Sequence, residues 1–153
     1  MQFKTPDEES FEISNLLWER AGMPDFVASR PCYHVDDVPC TLVPASDIVP
    51  LKRKPGIPGF GENGLNDQRL ESLFRAFRSD IPLPPVQLIE VKLGGRYRYK
   101  VYHGVHRYFA SVAAGFSHLP VTVIADPEPF VEDEIKRGAQ RVWLKSDEPP
   151  TTS

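Results

Sequence analysis

The sequence has little cysteine and no long hydrophobic run. Its two cysteines, Cys32 and Cys40, are too few for a disulfide framework and indicate a reducing, cytoplasmic setting. No apolar run approaches the roughly 18 residues of a membrane-spanning helix, and the first residues show no apolar stretch of the signal-peptide type. We therefore expect a cytoplasmic protein without a membrane partner, whose thiols are idle groups rather than a redox pair.

The length excludes a large catalytic architecture. The 153 residues suit one domain with a modest core, whereas a (β/α)₈ barrel needs about 250 residues. Hydrophobic residues make up 41% of the chain, which is too many for a wholly disordered protein. A single folded domain is the expectation.

Acidic residues are missing from one long central stretch. From Lys92 to Ala125 the chain carries five bases and no acid. Residues 41–125 hold eleven bases against six acids, while residues 1–40 hold eight acids against three bases and residues 126–153 hold seven against four. A basic middle between acidic ends is typical of an anion-binding protein, but also of a solvated surface with acidic tails. Charge alone leaves both interpretations open.

Residues 1–40 have the least regular pattern. Apolar residues between positions 10 and 22 predict an amphipathic helix: Phe11, Ile13, Leu16 and Leu17. The segment could cover the core or form a partner-binding arm, and the pattern favours the first.

A second helix is predicted with a clear start and a clear core stripe. Asn66 or Asp67 can cap it, and it runs to about Arg78. The core stripe has i, i+3, i+4, i+7 spacing: Leu70, Leu73, Phe74 and Phe77. A different stripe carries Arg69, Ser72 and Ala76, so Arg69 and Ser72 are expected to be available to a ligand.

The remaining pattern predicts one small mixed sheet. A strand over 40–49 breaks near Pro44, strands over 86–93 and 96–103 form a hairpin around Gly94-Gly95, and residues 119–125 form a buried strand. A Pro/Gly-rich loop covers 51–64, and a third helix covers 106–114. On the return strand of the hairpin, Arg96, Arg98 and Lys100 share one face.

This order of elements predicts a compact α+β domain. We expect it to cover residues 41–125, with residues 1–40 as a partly helical extension. Residues 126–153 are expected to form a short helix and a disordered tail.

One strand-to-helix turn, from Gly104 to Arg107, carries the main chemical signal. The first amides of a helix are unpaired donors at the positive end of its dipole. Gly104 permits close approach of a ligand, and His106 and Arg107 add side-chain donors. These parts predict a phosphate-sized anion site, with an ordinary strand-to-helix turn as the alternative.

The order of elements and the string Gly104-Val-His-Arg-Tyr-Phe-Ala110 resemble the ParB/sulfiredoxin superfamily. The resemblance covers about residues 41–125 and is closest in motif to sulfiredoxin. It implies a fold of the same α+β type and a nucleotide-phosphate site. Carried over by position, that site comprises Gly104, Val105, His106 and Arg107 on the turn, with Arg69 and Ser72 on the preceding helix.

Departures from the family pattern limit the chemistry. Val105 stands where sulfiredoxin has its catalytic cysteine, which argues against sulfinic-acid reduction. Ala76 replaces a threonine of the nucleotide site. The chromosome-partition branch continues into a helix-turn-helix domain, for which the 28 residues after Ala125 are too few. A serine-phosphorylating branch uses an acidic base, for which Glu62 is the nearest candidate here.

The leading hypothesis is a nucleotide-binding protein that takes ATP, ADP or CTP with Mg²⁺. As an enzyme it would be a phosphotransferase or a nucleotide hydrolase, with His106 and Glu62 as candidate catalytic residues. One alternative is a DNA-associated ParB-like protein without its own helix-turn-helix. The other is a catalytically degenerate module that binds a protein partner through the acidic termini.

Overall fold

The computed structural model describes residues 1–6, 8–49, 65–91 and 98–125. The α-helices in that part are α1 (Asn15–Arg20), α2 (Asp67–Arg78) and α3 (Val105–Ala114). The strands are β1 (Gln2–Lys4), β2 (Ser10–Glu12), β3 (Thr41–Pro44), β4 (Ile48–Val49), β5 (Val86–Glu90), β6 (Tyr99–His103) and β7 (His118–Ile124). The predicted loop over 51–64, the Gly94-Gly95 turn and everything predicted for 126–153 lie outside the described residues.

Five strands form a mixed sheet in the order β3-β7-β5-β6-β4. β5 runs parallel to β7 and antiparallel to β6, β3 is antiparallel to β7, and β4 is parallel to β6. The predicted break near Pro44 is confirmed, because a single 3₁₀ turn over Ala45–Asp47 separates β3 from β4. Helices and a mixed sheet in one chain confirm the predicted α+β class.

Helix α2 agrees with its prediction except at one residue. Asn66 caps it, with Oδ1 accepting from the Arg69 amide at 3.0 Å. The predicted stripe faces the core, with three residues buried and Leu73 half-buried. Ala76 was expected on the ligand-facing stripe but is only 6% exposed. Its small side chain lets that side of the helix pack closely, whereas Arg69 is half-buried and Ser72 exposed.

The predicted helix over 10–22 is wrong in its first part. Residues Ser10–Glu12 form β2, which pairs antiparallel with β1, and the helix starts only after the Ser14 cap. Phe11 and Ile13 are buried on either side of exposed Glu12, which is the two-residue period of a strand. The segment nevertheless covers the core, since both side chains belong to the main buried cluster.

Two further expectations concern membranes and thiols. None of the helices in the described ranges has the length and apolar character needed to cross a bilayer. Cys32 is half-buried, Cys40 is exposed, and both are free. Burial raises the pKa of Cys32, so its thiol stays protonated and weakly nucleophilic at neutral pH.

We expect Ile13→Ala to lower the free energy of unfolding by about 2–4 kcal/mol, because the removed side chain leaves a cavity in a close-packed core. Ile13 is 1% exposed, whereas nearby Leu16 is 60% exposed and serves as the matched control. Leu16→Ala should change stability by less than about 0.5 kcal/mol. Urea unfolding measures both, and equal effects would show that the N-terminal segment is a detachable arm.

Candidate functional site

A left-handed glycine joins β6 to α3. Gly104 has φ 105° and ψ 30°, a conformation that side chains other than glycine rarely adopt. A Cβ at this position would lie 3.0 Å from Nη2 of Arg107 and 3.2 Å from Cγ1 of Val86. Both the backbone angle and the close approach of Arg107 therefore require glycine here.

The N-cap of α3 is Gly104, which has no side chain with which to cap the helix. The Tyr108 amide makes the first helical bond, to the Gly104 carbonyl at 2.9 Å. The amides before it point out of the end of the helix as donors, where the dipole is positive. The turn therefore has the backbone arrangement predicted for an anion site.

Helix α3 is buried on almost every side. Nine of its ten residues are buried, because it packs against α2, against the sheet strands β5 and β7, and against β1. The sequence predicted inward positions only for Phe109, Val112 and Ala113. The burial of His106 and Arg107 was not predicted, and it brings two polar side chains into the interior.

Arg107 is the most unusual of these side chains. It is 9% exposed, and its Nε has no hydrogen-bond partner among the described residues. Burial lowers the pKa of Arg107, while nearby Tyr33 and Asp36 act in the opposite direction. A buried charge without a partner lowers the stability of the folded state. An anion bound to this side chain would offset that loss.

His106 links the starts of two helices. It is 1% exposed, and its Nε2 accepts a hydrogen bond from the Asn66 amide at 2.9 Å. Because Nε2 accepts, the ring is neutral and its proton is on Nδ1. Asn66 is also the cap of α2, so this bond holds the start of α2 against the start of α3.

The other predicted site residues differ in how close they lie to the start of α3. Arg69 lies in the first turn of α2, close to the Asn66–His106 bond, and Ser72 lies one turn later at the surface. Val105 is buried in the main hydrophobic cluster, so its side chain belongs to the core. Glu62 lies outside the described residues, and its proposed role stays a prediction.

Sequence reasoning missed the segment that faces Arg107. Residues 33–36 run beside residues 83–84, with Leu83 N donating to His34 O at 3.0 Å and Asp36 N donating to Leu83 O at 2.8 Å. The Tyr33 hydroxyl donates to Pro84 O at 2.6 Å. Burial raises the pKa of Tyr33, which therefore keeps its proton. No local pattern in the sequence signals these long-range pairings.

A cavity in another part of the described region differs in its electrostatics. It measures about 560 Å³ and is lined by Phe26 and Phe77 together with four charged residues. Those charges neutralise one another, since Arg78 pairs with Asp25 at 2.8 Å and Arg30 pairs with Asp80. The start of α3 is instead a place where a positive charge remains unpaired.

Among the described residues, no three His, Cys, Asp or Glu side chains cluster as metal ligands.

No protein-family model and no curated protein matches the sequence. The geometry around Gly104, His106 and Arg107 is therefore the basis on which a function is proposed.

We expect His106→Ala to destabilise the fold by about 2–4 kcal/mol, because it leaves a cavity and a half-buried Asn66 amide without its acceptor. His106→Gln keeps an acceptor near the position of Nε2 and should lose about half as much. Urea unfolding of the two variants measures the difference. Equal losses would mean that the bond to Asn66 does not hold the helices together.

Proposed function

We propose that this chain is a nucleotide-binding protein of the ParB/sulfiredoxin type, which holds the phosphates of ATP, ADP or CTP at the start of α3. The observation that carries the proposal is the buried side chain of Arg107, whose Nε has no hydrogen-bond partner, beside the start of α3 at Gly104. The resemblance of Gly104-Val-His-Arg to a nucleotide-phosphate turn supports the same ligand class.

The energetics favour an anion with several oxygens. A guanidinium offers a planar fork of donors that matches a phosphate. The helix amides add donors at the positive end of the dipole, and Gly104 lets the backbone come close. A phosphate group would therefore compensate the buried charge and accept from backbone amides at the start of α3 at the same time.

Neighbouring residues supply further contacts in this proposal. His106 would donate through Nδ1, and Arg69 would add a positive charge from the first turn of α2. Mg²⁺ would be held mainly by phosphate oxygens and water, the usual arrangement for nucleotide-bound magnesium, since the described residues offer no cluster of three metal ligands.

A reaction at such a site would be phosphoryl transfer or nucleotide hydrolysis, because these reactions depend on positioning and on neutralising charge. Sulfinic-acid reduction by the cysteine mechanism is not proposed, because Val105 has no nucleophile and packs in the core. The free thiols Cys32 and Cys40 support a cytoplasmic location.

The two alternatives rest on fewer observations. A DNA-associated role would use the exposed Arg98 beside β6, while Arg96 lies outside the described residues. A partner-binding module would use the acidic termini, yet Phe11, Ile13 and Leu17 of the N-terminal segment belong to the core.

Arg107→Met should abolish nucleotide binding without harming the fold. A bound ligand raises stability by RT ln(1 + [L]/Kd), about 2.7 kcal/mol at a hundredfold excess over Kd. We expect this increase for wild type with ATP, ADP or CTP in the presence of Mg²⁺, and none for the variant. Without ligand the variant should be unchanged or up to about 3 kcal/mol more stable, because an uncompensated buried charge is removed.

Arg98→Met is the matched control, since it removes an exposed arginine and should keep the full response to nucleotide. Thermal unfolding and calorimetric titration provide the two measurements. Absence of any response in wild type would overturn the proposal. So would a strong loss of ligand-free stability in Arg107→Met, which would assign Arg107 a structural role.

A further inference from the structure

A cleft lies between the end of α2 and the irregular segment over residues 25–30. Its open part is the cavity of about 560 Å³, and a smaller cavity of about 50 Å³ adjoins it. The two cavities share six lining residues: Phe26, Val27, Ser29, Arg30, Phe77 and Asp80. The open part alone lies within the usual range of small-molecule sites, about 300–1,000 Å³.

Aromatic rings line the inner part of the cleft and pack against one another. Phe26 and Phe77 each meet Phe116 edge to face, with ring centroids 6.1 Å and 5.2 Å apart. Phe77 also stacks on Tyr33 at 5.6 Å. An apolar or aromatic group of a ligand would therefore meet a preformed surface of matching chemistry.

Both walls of the cleft carry both signs of charge. Arg78 at the end of α2 pairs with Asp25 at 2.8 Å, and Arg30 on the opposite segment pairs with Asp80. The side chains of Arg30 and Asp80 are 51% and 61% exposed. Because an exposed ion pair contributes little to stability, a ligand can compete for its two groups at small cost.

The helix side of the cleft is held in a fixed geometry. Asp80 has φ 57°, a left-handed conformation that is uncommon for residues other than glycine, asparagine and aspartate. Nδ1 of His34 donates to Asp80 O at 2.8 Å. Arg78 lies against Gly22, where a Cβ would be 2.8 Å from Cδ of Arg78, and its Nη1 donates to Gly22 O at 2.8 Å. The charged groups of this wall are therefore positioned before any ligand arrives.

We propose that this cleft binds a small zwitterion with an apolar body, of which a free aromatic amino acid is the simplest case. The ligand carboxylate would bond to the guanidinium of Arg30, and the ligand ammonium group to the carboxylate of Asp80. The negative end of the α2 dipole also favours the ammonium group on that wall. The apolar body would cover Phe26 and Phe77.

The charge balance of the pair selects this ligand class. A zwitterion replaces the pairing of Arg30 with Asp80 by two new pairings, so every charge keeps a partner. A purely anionic ligand would leave Asp80 without its partner, and a purely cationic ligand would do the same to Arg30. The inference concerns a different part of the molecule from the nucleotide site and does not depend on it.

The first test titrates the wild-type protein with L-phenylalanine and with three probes that each lack one of its groups. Phenylpropionate lacks the ammonium group, phenethylamine lacks the carboxylate, and glycine lacks the ring. We expect each of the three to bind at least about tenfold more weakly than L-phenylalanine, by calorimetry and ligand-observed NMR. Equal binding of phenylpropionate or phenethylamine would overturn the assignment of a zwitterion.

The second test locates the site. Arg30→Gln and Asp80→Asn should each weaken the binding of L-phenylalanine about tenfold. Both variants should keep the thermal stability of wild type, because the pair is exposed and asparagine tolerates the left-handed backbone. Arg75→Gln is the matched control and should bind as wild type does. Arg75 is also on α2 and is 55% exposed, but it pairs with Glu71 and does not line either cavity.

The outcomes are distinct. Weaker binding in Arg30→Gln and Asp80→Asn, with wild-type binding in Arg75→Gln, supports the site. Unchanged binding in Arg30→Gln and Asp80→Asn would overturn it, because the ligand would then bind elsewhere. Absence of L-phenylalanine binding to the wild type at millimolar concentration would overturn the proposal as a whole, while the proposed nucleotide site would be unaffected.

Discussion

The hydrogen bond from the Asn66 amide to Nε2 of His106, 2.9 Å long, determines how the two helix starts meet. Asn66 caps α2 with its side chain and contacts α3 with its backbone, so one residue serves both helices. Two helix ends of like partial charge are then held close together, beside the buried guanidinium of Arg107. In the proposed function, an anion bound at this point would complement these positive groups.

The fold tolerates this arrangement because the rest of α3 is strongly anchored. An aromatic contact joins it to the N-terminal segment, with the ring centroids of Phe11 and Phe109 5.0 Å apart. The N-terminal segment thus contributes stability to the same helix that presents Arg107. An uncompensated buried charge lowers the stability of the folded state. Such a local loss of stability is more usual at a binding site than in a core.

Local signals predicted much of the fold, and they failed where contacts are long-range. The Asn66 cap and the apolar spacing up to Phe77 were enough to place α2, and Gly104 and Gly115 marked both ends of α3. The β2 strand was missed because the spacing of Phe11, Ile13, Leu16 and Leu17 fits two structures equally well. One is a strand followed by a helix, and the other is a single longer helix. The Asn66–His106 bond joins residues 40 positions apart, and nothing in a single sequence signals such a pairing.

The position of Val105 connects the fold to the kind of chemistry that the site could perform. Its side chain belongs to the hydrophobic cluster, while the backbone of the same turn offers its amides outward. Core packing thus takes up the side chain that would otherwise be the nucleophile nearest to a bound phosphate. In the proposed function, the chain would bind, orient and neutralise the phosphate, and the nucleophile would come from a second substrate or from water.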